Sequence, residues 1–227
     1  MWHSAAIGTL VLGALGTAQA AEASLSGGAT FATEDVSNGI RYWDGPTVQP
    51  FTKPGFVGLF AGAQVTNVNE NVTGANAEYG LSLGYRGETG KISTDIGIAC
   101  YICDAAIADY PVEDSAGSFV SAILAVADTL DLTAMAALAP EYDQTNLSVR
   151  PDFYTAVEGL SVGVIVGAIV GQVRPNYGDW TYWSLDTAYA LSAKLSPGLA
   201  YHHTNLNPEL GLADTAGPFV ATVSLAF

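Results

Sequence analysis

The chain has 227 residues, of which 49% are hydrophobic and only 13% are charged, and its mean hydropathy is +0.28. This composition is too apolar for a disordered chain, yet beyond residue 20 no apolar run approaches the ~18 residues that a membrane-spanning helix needs. The formal charge of −15, from 22 acidic and 7 basic residues, argues against nucleic acid as a partner, because phosphate binding requires Lys and Arg.

The first twenty residues have the layout of a secretory signal peptide. An apolar region from Ala5 to Leu15 precedes Ala18-Gln19-Ala20, which matches the A-x-A cleavage pattern. The preceding segment has no Lys or Arg, so the prediction depends on the apolar run and the cleavage site. A first core helix is the alternative. We expect residues 1–20 to be removed and residues 21–227 to form one domain.

From about Ala23 onward the sequence consists of alternating segments separated by clusters of Gly, Asn, Asp and Pro. Large apolar residues from Tyr79 to Tyr85, for example, alternate with small or charged ones, which is typical of a β-strand with one apolar face. The predicted strands cover residues 25–35, 45–52, 55–66, 77–88, 91–103, 117–128, 130–142, 147–158, 160–173, 180–193, 197–205 and 218–227. This gives about twelve strands, or about ten if the proline-rich second segment and the short eleventh are not strands.

The strands of a soluble β-sandwich would show the same alternation of apolar and polar residues. Other features must therefore show whether the barrel or sandwich lies in lipid or in water. Aromatic residues lie at segment ends, as at Trp183 and Tyr189, where membrane interfaces favour amphipathic rings. The apolar faces are almost free of charge, as a hydrocarbon solvent demands. We therefore predict an all-β fold, a closed antiparallel transmembrane β-barrel in the outer membrane. Outer-membrane lipid, lipopolysaccharide and the barrel assembly machinery are its expected partners.

The last segment supports the same prediction. An apolar strand that ends in an aromatic residue resembles the assembly signal of bacterial outer-membrane barrels. Its lipid-facing, membrane-insertion residues would include Phe219, Val223, Leu225 and Phe227. In lipid every backbone polar group needs a partner within the sheet, so this strand should pair with the first one. Short links at residues 87–91, 128–129 and 158–159 would be periplasmic, and long links at 66–76, 104–116, 174–179 and 204–217 would face outward.

The stretch from Thr30 to Gln49, TFATEDVSNGIRYWDGPTVQ, resembles the opening of the bacterial Gcw_chp family. The order of motifs continues through residues 55–62, residues 78–88, the strand at Asp95, residues 179–185 and the terminal Phe strand, so the resemblance covers nearly the whole mature chain. The family usually has an Arg where this chain has Asn38. The resemblance implies a signal peptide and an outer-membrane barrel of uncharacterised function, with no catalytic residues.

Charged residues fall mainly on the parity opposite to the apolar faces, so we expect them to point into the barrel. The candidate lumen-facing charges are Glu78, Arg86, Asp95, Asp131, Glu141 and Asp186. If the acids stay unpaired, the pore would favour cations, whereas pairing with Arg86 across the lumen would stabilise a closed barrel. We predict porin-like passage of ions or small polar solutes with a cation preference. A non-conducting structural or surface-interaction barrel with acidic outward loops is the alternative.

Enzymatic and metal chemistry have less support. His202 and His203, with Ser184 or Ser192, could contribute to a hydrolase, but adjacent residues of a strand face opposite sides, and polar residues at a strand end explain the pair more simply. We therefore predict no enzyme, no cofactor and no metal site. The loop acids that could still hold a hard cation through oxygen atoms are Asp104, Asp109, Glu113 and Asp114.

Cys100 and Cys103 end a period-2 run and are three residues apart, so a regular strand would point their sulfurs to opposite faces. We favour two structural cysteines over a redox or metal pair. A disulfide stays possible if a turn begins at these residues, since an exported protein folds in an oxidising compartment.

Overall fold

The computed structural model describes residues 23–68, 75–105, 115–140, 143–171, 179–206 and 219–227, and these fold almost entirely into β-strands. The strands are β1 (Ala23–Ala32), β2 (Asp35–Ser37), β3 (Ile40–Trp43), β4 (Thr47–Phe56), β5 (Leu59–Asn67), β6 (Ala75–Thr89), β7 (Ile92–Ala105), β8 (Ser115–Ala127), β9 (Leu130–Ala139), β10 (Gln144–Tyr154), β11 (Leu160–Gly171), β12 (Trp180–Tyr189), β13 (Leu195–Thr204) and β14 (Phe219–Ala226). Across these six stretches of chain, we find no helix with the length and apolarity that spanning a membrane requires.

Twelve of the strands form one closed barrel in the order β1-β14-β13-β12-β11-β10-β9-β8-β7-β6-β5-β4. Every neighbouring pair is antiparallel, and β1 closes the sheet by pairing with both β14 and β4. Phe31 of β1 lies opposite Val223 of the terminal strand, as the pairing of first and last strands requires. The structure confirms the predicted all-β closed barrel and its strand number.

Every predicted segment corresponds to a barrel strand, including the second and the eleventh, which are β4 and β13. Prolines do not prevent β4 from forming, because its ladder with β1 is continuous over ten residue pairs. On the other side, the β4–β5 ladder has a gap between Thr52 and Gly55, where Pro54 lacks the N–H group that a ladder needs. The barrel therefore tolerates Pro54 at a local break.

The connections differ in length between the two ends of the barrel. At one end, links such as 57–58, 90–91 and 128–129 are tight turns, and Val57 and Gly58 both have positive φ, as a two-residue hairpin turn requires. At the other end the connections 33–46, 68–74, 106–114, 172–179 and 205–218 are longer. Both chain ends of the barrel, Ala23 and Ala226, lie at the end with the short turns. This division agrees with the predicted short and long links.

One long connection was interpreted incorrectly from the sequence. Residues 33–46 were expected to contain only strand ends and a link, but they contain the β2–β3 hairpin, a separate two-stranded sheet. The first barrel strand consequently ends at Ala32 rather than at residue 35. Asp35 instead begins β2, where it is only 7% exposed. The hairpin is therefore packed inside the protein rather than extended into solvent.

The outside of the barrel is a belt of large apolar side chains. Leu25, Ile98 and Val166 are 65%, 61% and 57% exposed, although they lie in the middle or inner parts of regular strands. On the terminal strand Phe219, Val223, Leu225 and Phe227 are 67%, 42%, 43% and 71% exposed. An apolar surface of this extent would drive aggregation in water, whereas it matches the hydrocarbon core of a membrane. The barrel thus has the surface of a membrane-spanning protein.

Candidate functional site in the barrel lumen

A cavity of about 1390 Å³ occupies the barrel interior. Residues of the β2–β3 hairpin line one end of it, and residues at the short turns, including Asp128 and Lys194, surround the other. Its acidic lining residues are Glu34, Asp35, Asp128, Asp131, Asp152 and Asp186, and its basic ones are Lys91, Arg150 and Lys194. Six acids against three bases give this part of the lumen a formal charge of −3.

Arg150 of β10 is the central cation of the cavity wall. Its Nη1 and Nη2 atoms donate to the two carboxylate oxygens of Asp186 at 2.9 and 2.8 Å. Its Nε atom donates to Asp152 at 2.9 Å, so one guanidinium contacts two carboxylates at once. Bidentate pairs of this kind are the strongest arginine contacts because their planar geometries match. Asp152 and Asp186 are consequently held in fixed positions on the wall.

Gly163 makes this contact between β10 and β12 possible. It lies on β11, between the two strands, and pairs with Asp152 on one side and Asp186 on the other. A Cβ atom there would lie 2.7 Å from Cζ of Arg150 and 2.8 Å from Oδ2 of Asp186. Because Gly163 has no side chain, the Arg150 guanidinium can extend across β11 to Asp186.

Asp131 of β9 is the third carboxylate of this wall. The Tyr154 hydroxyl donates to its Oδ2 atom at 2.8 Å, and both residues line the cavity. Tyr154 is neutral, so this hydrogen bond orients the carboxylate without cancelling its charge. Arg150, Asp131, Asp152 and Asp186 together therefore leave an excess of negative charge on the wall from β9 to β12.

A second charged group lies on the opposite wall. Lys53 of β4 approaches Oδ2 of Asp95 at 3.1 Å, and Arg86 contacts the same carboxylate through Nη2 at 2.6 Å and Nε at 2.7 Å. Lys53 and Asp95 belong to strands separated by β5 and β6, so their side chains can meet only inside the barrel. Here two basic side chains pair with one acidic side chain, so the net charge of this group is positive.

Aromatic rings cover the wall beside this group. The Lys53 ammonium lies 3.7 Å from the centre of the Phe60 ring, in a cation–π contact, and the rings of Phe60 and Phe119 are 6.5 Å apart. A Cβ on Gly84 would come within 2.9 Å of Phe60, and one on Gly97 within 2.9 Å of Phe119. These strand glycines let the rings lie flat against the sheet, so this side of the lumen is filled.

The tip of the β2–β3 hairpin reaches the far wall of the barrel. Asn38 and Gly39 form its two-residue turn, with φ values of 51° and 78°. The Trp180 indole donates to the Asn38 backbone carbonyl at 3.1 Å, and the Asn146 amide donates to the Asn38 side chain at 3.2 Å. The hairpin begins beside β1 and β4, whereas these partners belong to β12 and β10. It therefore crosses the lumen.

Apolar packing and close fit hold the crossing hairpin in place. Its core cluster is Ile40, Tyr42, Ile169, Trp180, Tyr182 and Leu206, and each of these side chains is less than 7% exposed. A Cβ on Gly39 would lie 2.6 Å from Thr204 and 2.9 Å from Tyr182, which shows how closely the turn approaches β13 and β12. Burying several large side chains contributes a few kcal/mol to docking, on the order of 1.5–3 kcal/mol for each one.

The start of the hairpin contains a buried carboxyl. The Gln49 amide donates to Oδ1 of Asp35 at 3.2 Å. Burial raises the pKa of Asp35 to about 6, and the hydrogen bond from Gln49 opposes that shift. Burial also raises the pKa of Tyr42, as do the nearby charges of Glu78 and Asp35. Asp35, Tyr42 and Glu78 thus lie close enough together to interact electrostatically.

The predicted lumen charges divide into three groups. Asp131 and Asp186 line the cavity, Arg86 and Asp95 pair with each other, and Glu78 is buried with 2% exposure. Glu141 lies outside the described residues, as do Asp109, Glu113 and Asp114 of the acidic loop. One wall of the barrel therefore has more acids than bases, and the other has an internal ion pair between Arg86 and Asp95.

The two histidines lie on opposite faces of the sheet. His202 lines the cavity opposite Ser184, whereas the His203 ring stacks against Trp183 with a centroid distance of 5.6 Å. Within the parts of the chain that are described, no group of three or more metal-ligating side chains converges. Cys100 and Cys103 are both in β7 and are not bridged to each other.

Three important residues were not identified from the sequence. Arg150 and Asp152 follow the lumen parity of β10, and an alternation count over that strand would have included them. Asn38 precedes Gly39, and an Asn-Gly pair between Val36 and Ile40 is a strong hairpin signal. The signals were present, but strand pairing is needed to show which groups meet.

Comparison with known proteins supports the fold. The barrel is similar to a solved structure described as KdgM porin, with a TM-score of 0.60 and 10% identity, covering 89% of this chain and 98% of that one. It is also similar to one described as NanC porin, with a TM-score of 0.61 and 8% identity, covering 90% of this chain and 99% of that one. Such low identities establish the porin-like fold alone. No protein-family model and no curated protein sequence matches the chain, so the Gcw_chp resemblance stays a prediction.

Proposed function

We propose that the protein is an outer-membrane, porin-like barrel that passes ions or small polar solutes and prefers cations. The observation that supports this proposal is the acidic cavity, whose lining contains six acidic and three basic side chains. Charges that line a narrow, low-dielectric passage act strongly on passing ions because little water screens them. A net negative wall raises the local concentration of cations. The function proposed is transport rather than enzymatic catalysis.

The outer surface of the barrel supports the proposed location. The apolar belt requires a lipid environment, and bacterial single-chain barrels with an even number of strands are typical of the outer membrane. We include in the proposal the cleavage of residues 1–20, assembly by the barrel assembly machinery, and contact with outer-membrane lipid and lipopolysaccharide. Membership of the Gcw_chp family is part of the same proposal.

Ion selectivity can be tested on the folded protein. Barrels reconstituted in planar bilayers across a KCl gradient should give a reversal potential of the sign expected for K⁺ preference. Asp131→Asn should reduce that potential, because it removes one lining charge and the amide can still accept a hydrogen bond from Tyr154. Glu158→Gln is the matched control, since Glu158 is an exposed acid on the turn between β10 and β11. Anion preference, or equal effects of the two substitutions, would refute the proposed cation preference.

A second function is favoured by the hairpin. Because β2 and β3 cross the lumen and are anchored on β10 and β12, the barrel could be a non-conducting structural or surface-interaction protein. Correctly folded wild-type barrels that insert into bilayers but carry no current would favour this function. Single-channel steps from the wild-type protein would exclude it.

A further inference from the structure

Glu78 is the most deeply buried acidic side chain among the residues described. Only 2% of its surface is exposed, and its Oε2 atom has no hydrogen-bond partner. It lies on β6 directly opposite Thr66 of β5, which is also buried, with 4% exposed. A buried carboxylate oxygen without a donor carries a large desolvation cost unless a proton or a cation compensates it.

Asp35 provides a second carboxyl at the same place. It is 7% exposed, its Oδ1 atom accepts the Gln49 amide proton, and its charge acts on Tyr42 together with that of Glu78. Asp35 belongs to the hairpin, and its donor Gln49 belongs to β4, where the register that pairs Phe51 with Gln64 sets Gln49 beside Thr66. Thr66 in turn pairs with Glu78 of β6, so the two carboxyls approach each other from separate elements. Gln49, Thr66 and Tyr42 add neutral oxygen atoms around them.

The basic side chains of this half of the barrel form salt bridges with other acids. Arg41 contacts Glu34 at 3.3 Å, and both Lys53 and Arg86 contact Asp95. In these contacts the acidic partners are Glu34 and Asp95. Either a proton or a bound cation can compensate the burial of the Asp35 and Glu78 carboxyls.

We propose that Asp35 and Glu78 bind one divalent cation, which fastens the β2–β3 hairpin to the wall at β6. The donors are all oxygen atoms, which suits a hard cation, and the irregular mixture of carboxylate, amide and hydroxyl groups suits Ca²⁺ better than the strictly octahedral Mg²⁺. With only two carboxylates, the affinity should lie in the weak range of extracellular sites, about 10⁻⁴–10⁻³ M. The site goes beyond ion passage, because its occupant is a structural ligand of the hairpin.

Calcium titration of the folded barrel in detergent tests the site directly. After treatment with a chelator, isothermal calorimetry with CaCl₂ should give one saturable site in the wild type. Glu78→Gln and Asp35→Asn should each weaken it at least roughly tenfold, since even outer partners of metal ligands change affinity by that much. Glu158→Gln, which changes an exposed acid on the turn between β10 and β11, should leave it unchanged. Absence of saturable binding, or equal binding by all four proteins, overturns the proposal.

A second measurement covers the case in which a carboxyl variant does not fold. Tb³⁺ emission sensitised by a neighbouring tyrosine should appear on the wild-type barrel and be displaced by Ca²⁺. Tyr42→Phe should lower that emission, because Tyr42 is the tyrosine on which the charges of both carboxyls act. Unchanged emission in this variant would contradict the location of the site. Neither measurement uses conductance, so the site can fail while the proposed passage of ions stands.

Discussion

Arg150 and Asp186 form a bidentate ion pair that spans β11 above Gly163. The pair joins β10 and β12 inside the barrel, although neither strand is hydrogen-bonded to the other. Its partly buried position, with side chains 22% and 23% exposed, places it at the boundary between protein and the cavity. The same contact thus contributes to the stability of the wall and to the charge at the surface of the cavity.

Gly163→Ala should destabilise the barrel by about 1–3 kcal/mol, the usual cost of overpacking. The new methyl group would displace the Arg150 guanidinium and the Asp186 carboxylate from their present positions. The midpoint of urea unfolding in detergent measures the effect. Gly87→Ala is the control, because the nearest atom to a Cβ there is 3.3 Å away. Equal midpoints for the two variants would show that the glycine is not needed for the ion pair.

Arg150→Gln should increase cation selectivity and lower stability together. It leaves Asp152 and Asp186 without their shared positive charge, so the wall becomes more negative. Because the pair is partly exposed to the lumen, we expect a loss of about 1–3 kcal/mol rather than the larger cost of a fully buried pair. Reversal potentials and urea midpoints measure the two effects. A variant with lower selectivity for cations would contradict the assignment of this wall as the selective one.

The strand pattern could be predicted because lipid imposes a simple rule on every strand. Residues such as Leu83 and Ile98 must be apolar on one parity, while the other parity is free to carry Glu78 or Asp95. Periodicity therefore locates all twelve barrel strands and some of the lumen charges, such as Asp131 and Asp186. It does not give the pairing register, and the contact between Arg150 and Asp186 depends on register.

The hairpin could not be predicted from periodicity for a different reason. Its strands have only three and four residues, and their buried side chains include the polar Asp35 and Ser37. Part of the hairpin is solvated in the lumen and the rest packs against the barrel wall, so its residues do not alternate between apolar and polar. Its turn at Asn38 is the local signal that remains, and the anchor on Trp180 is visible only in the folded barrel.

Gly39→Val should release the hairpin tip and increase single-channel conductance. Valine tolerates the observed φ of +78° poorly, and its Cβ would collide with Thr204 and Tyr182. Asn38→Gly is the comparison variant and should change conductance less, because glycine keeps the turn geometry and the carbonyl that accepts from Trp180 and loses only the hydrogen bond from Asn146. Trp fluorescence reports the release independently of current. Unchanged conductance after a confirmed release would show that the hairpin does not obstruct the lumen.

Docking of the hairpin should weaken as the pH rises through about 6 when divalent cations are absent. Burial raises the pKa of Asp35 to about 6 in the folded state, so the protonated form is favoured by docking. This stabilisation is fully present below the ordinary pKa of an aspartate and is lost above the raised one, and it amounts to at most about 3 kcal/mol. Gln49 from β4, Tyr42 from β3 and Glu78 from β6 face this carboxyl.

The rate of proteolysis within residues 33–46, measured between pH 4 and pH 8 in the presence of a chelator, should follow this titration in the wild type. Asp35→Asn should remove the part of the pH dependence that belongs to Asp35, because an amide does not titrate in this range. Saturating Ca²⁺ should move the wild-type step to lower pH, since a bound cation favours the ionised carboxylate. The same pH profile in wild type and Asp35→Asn would assign the titration to another group, and a step that Ca²⁺ does not move would separate Asp35 from the cation site.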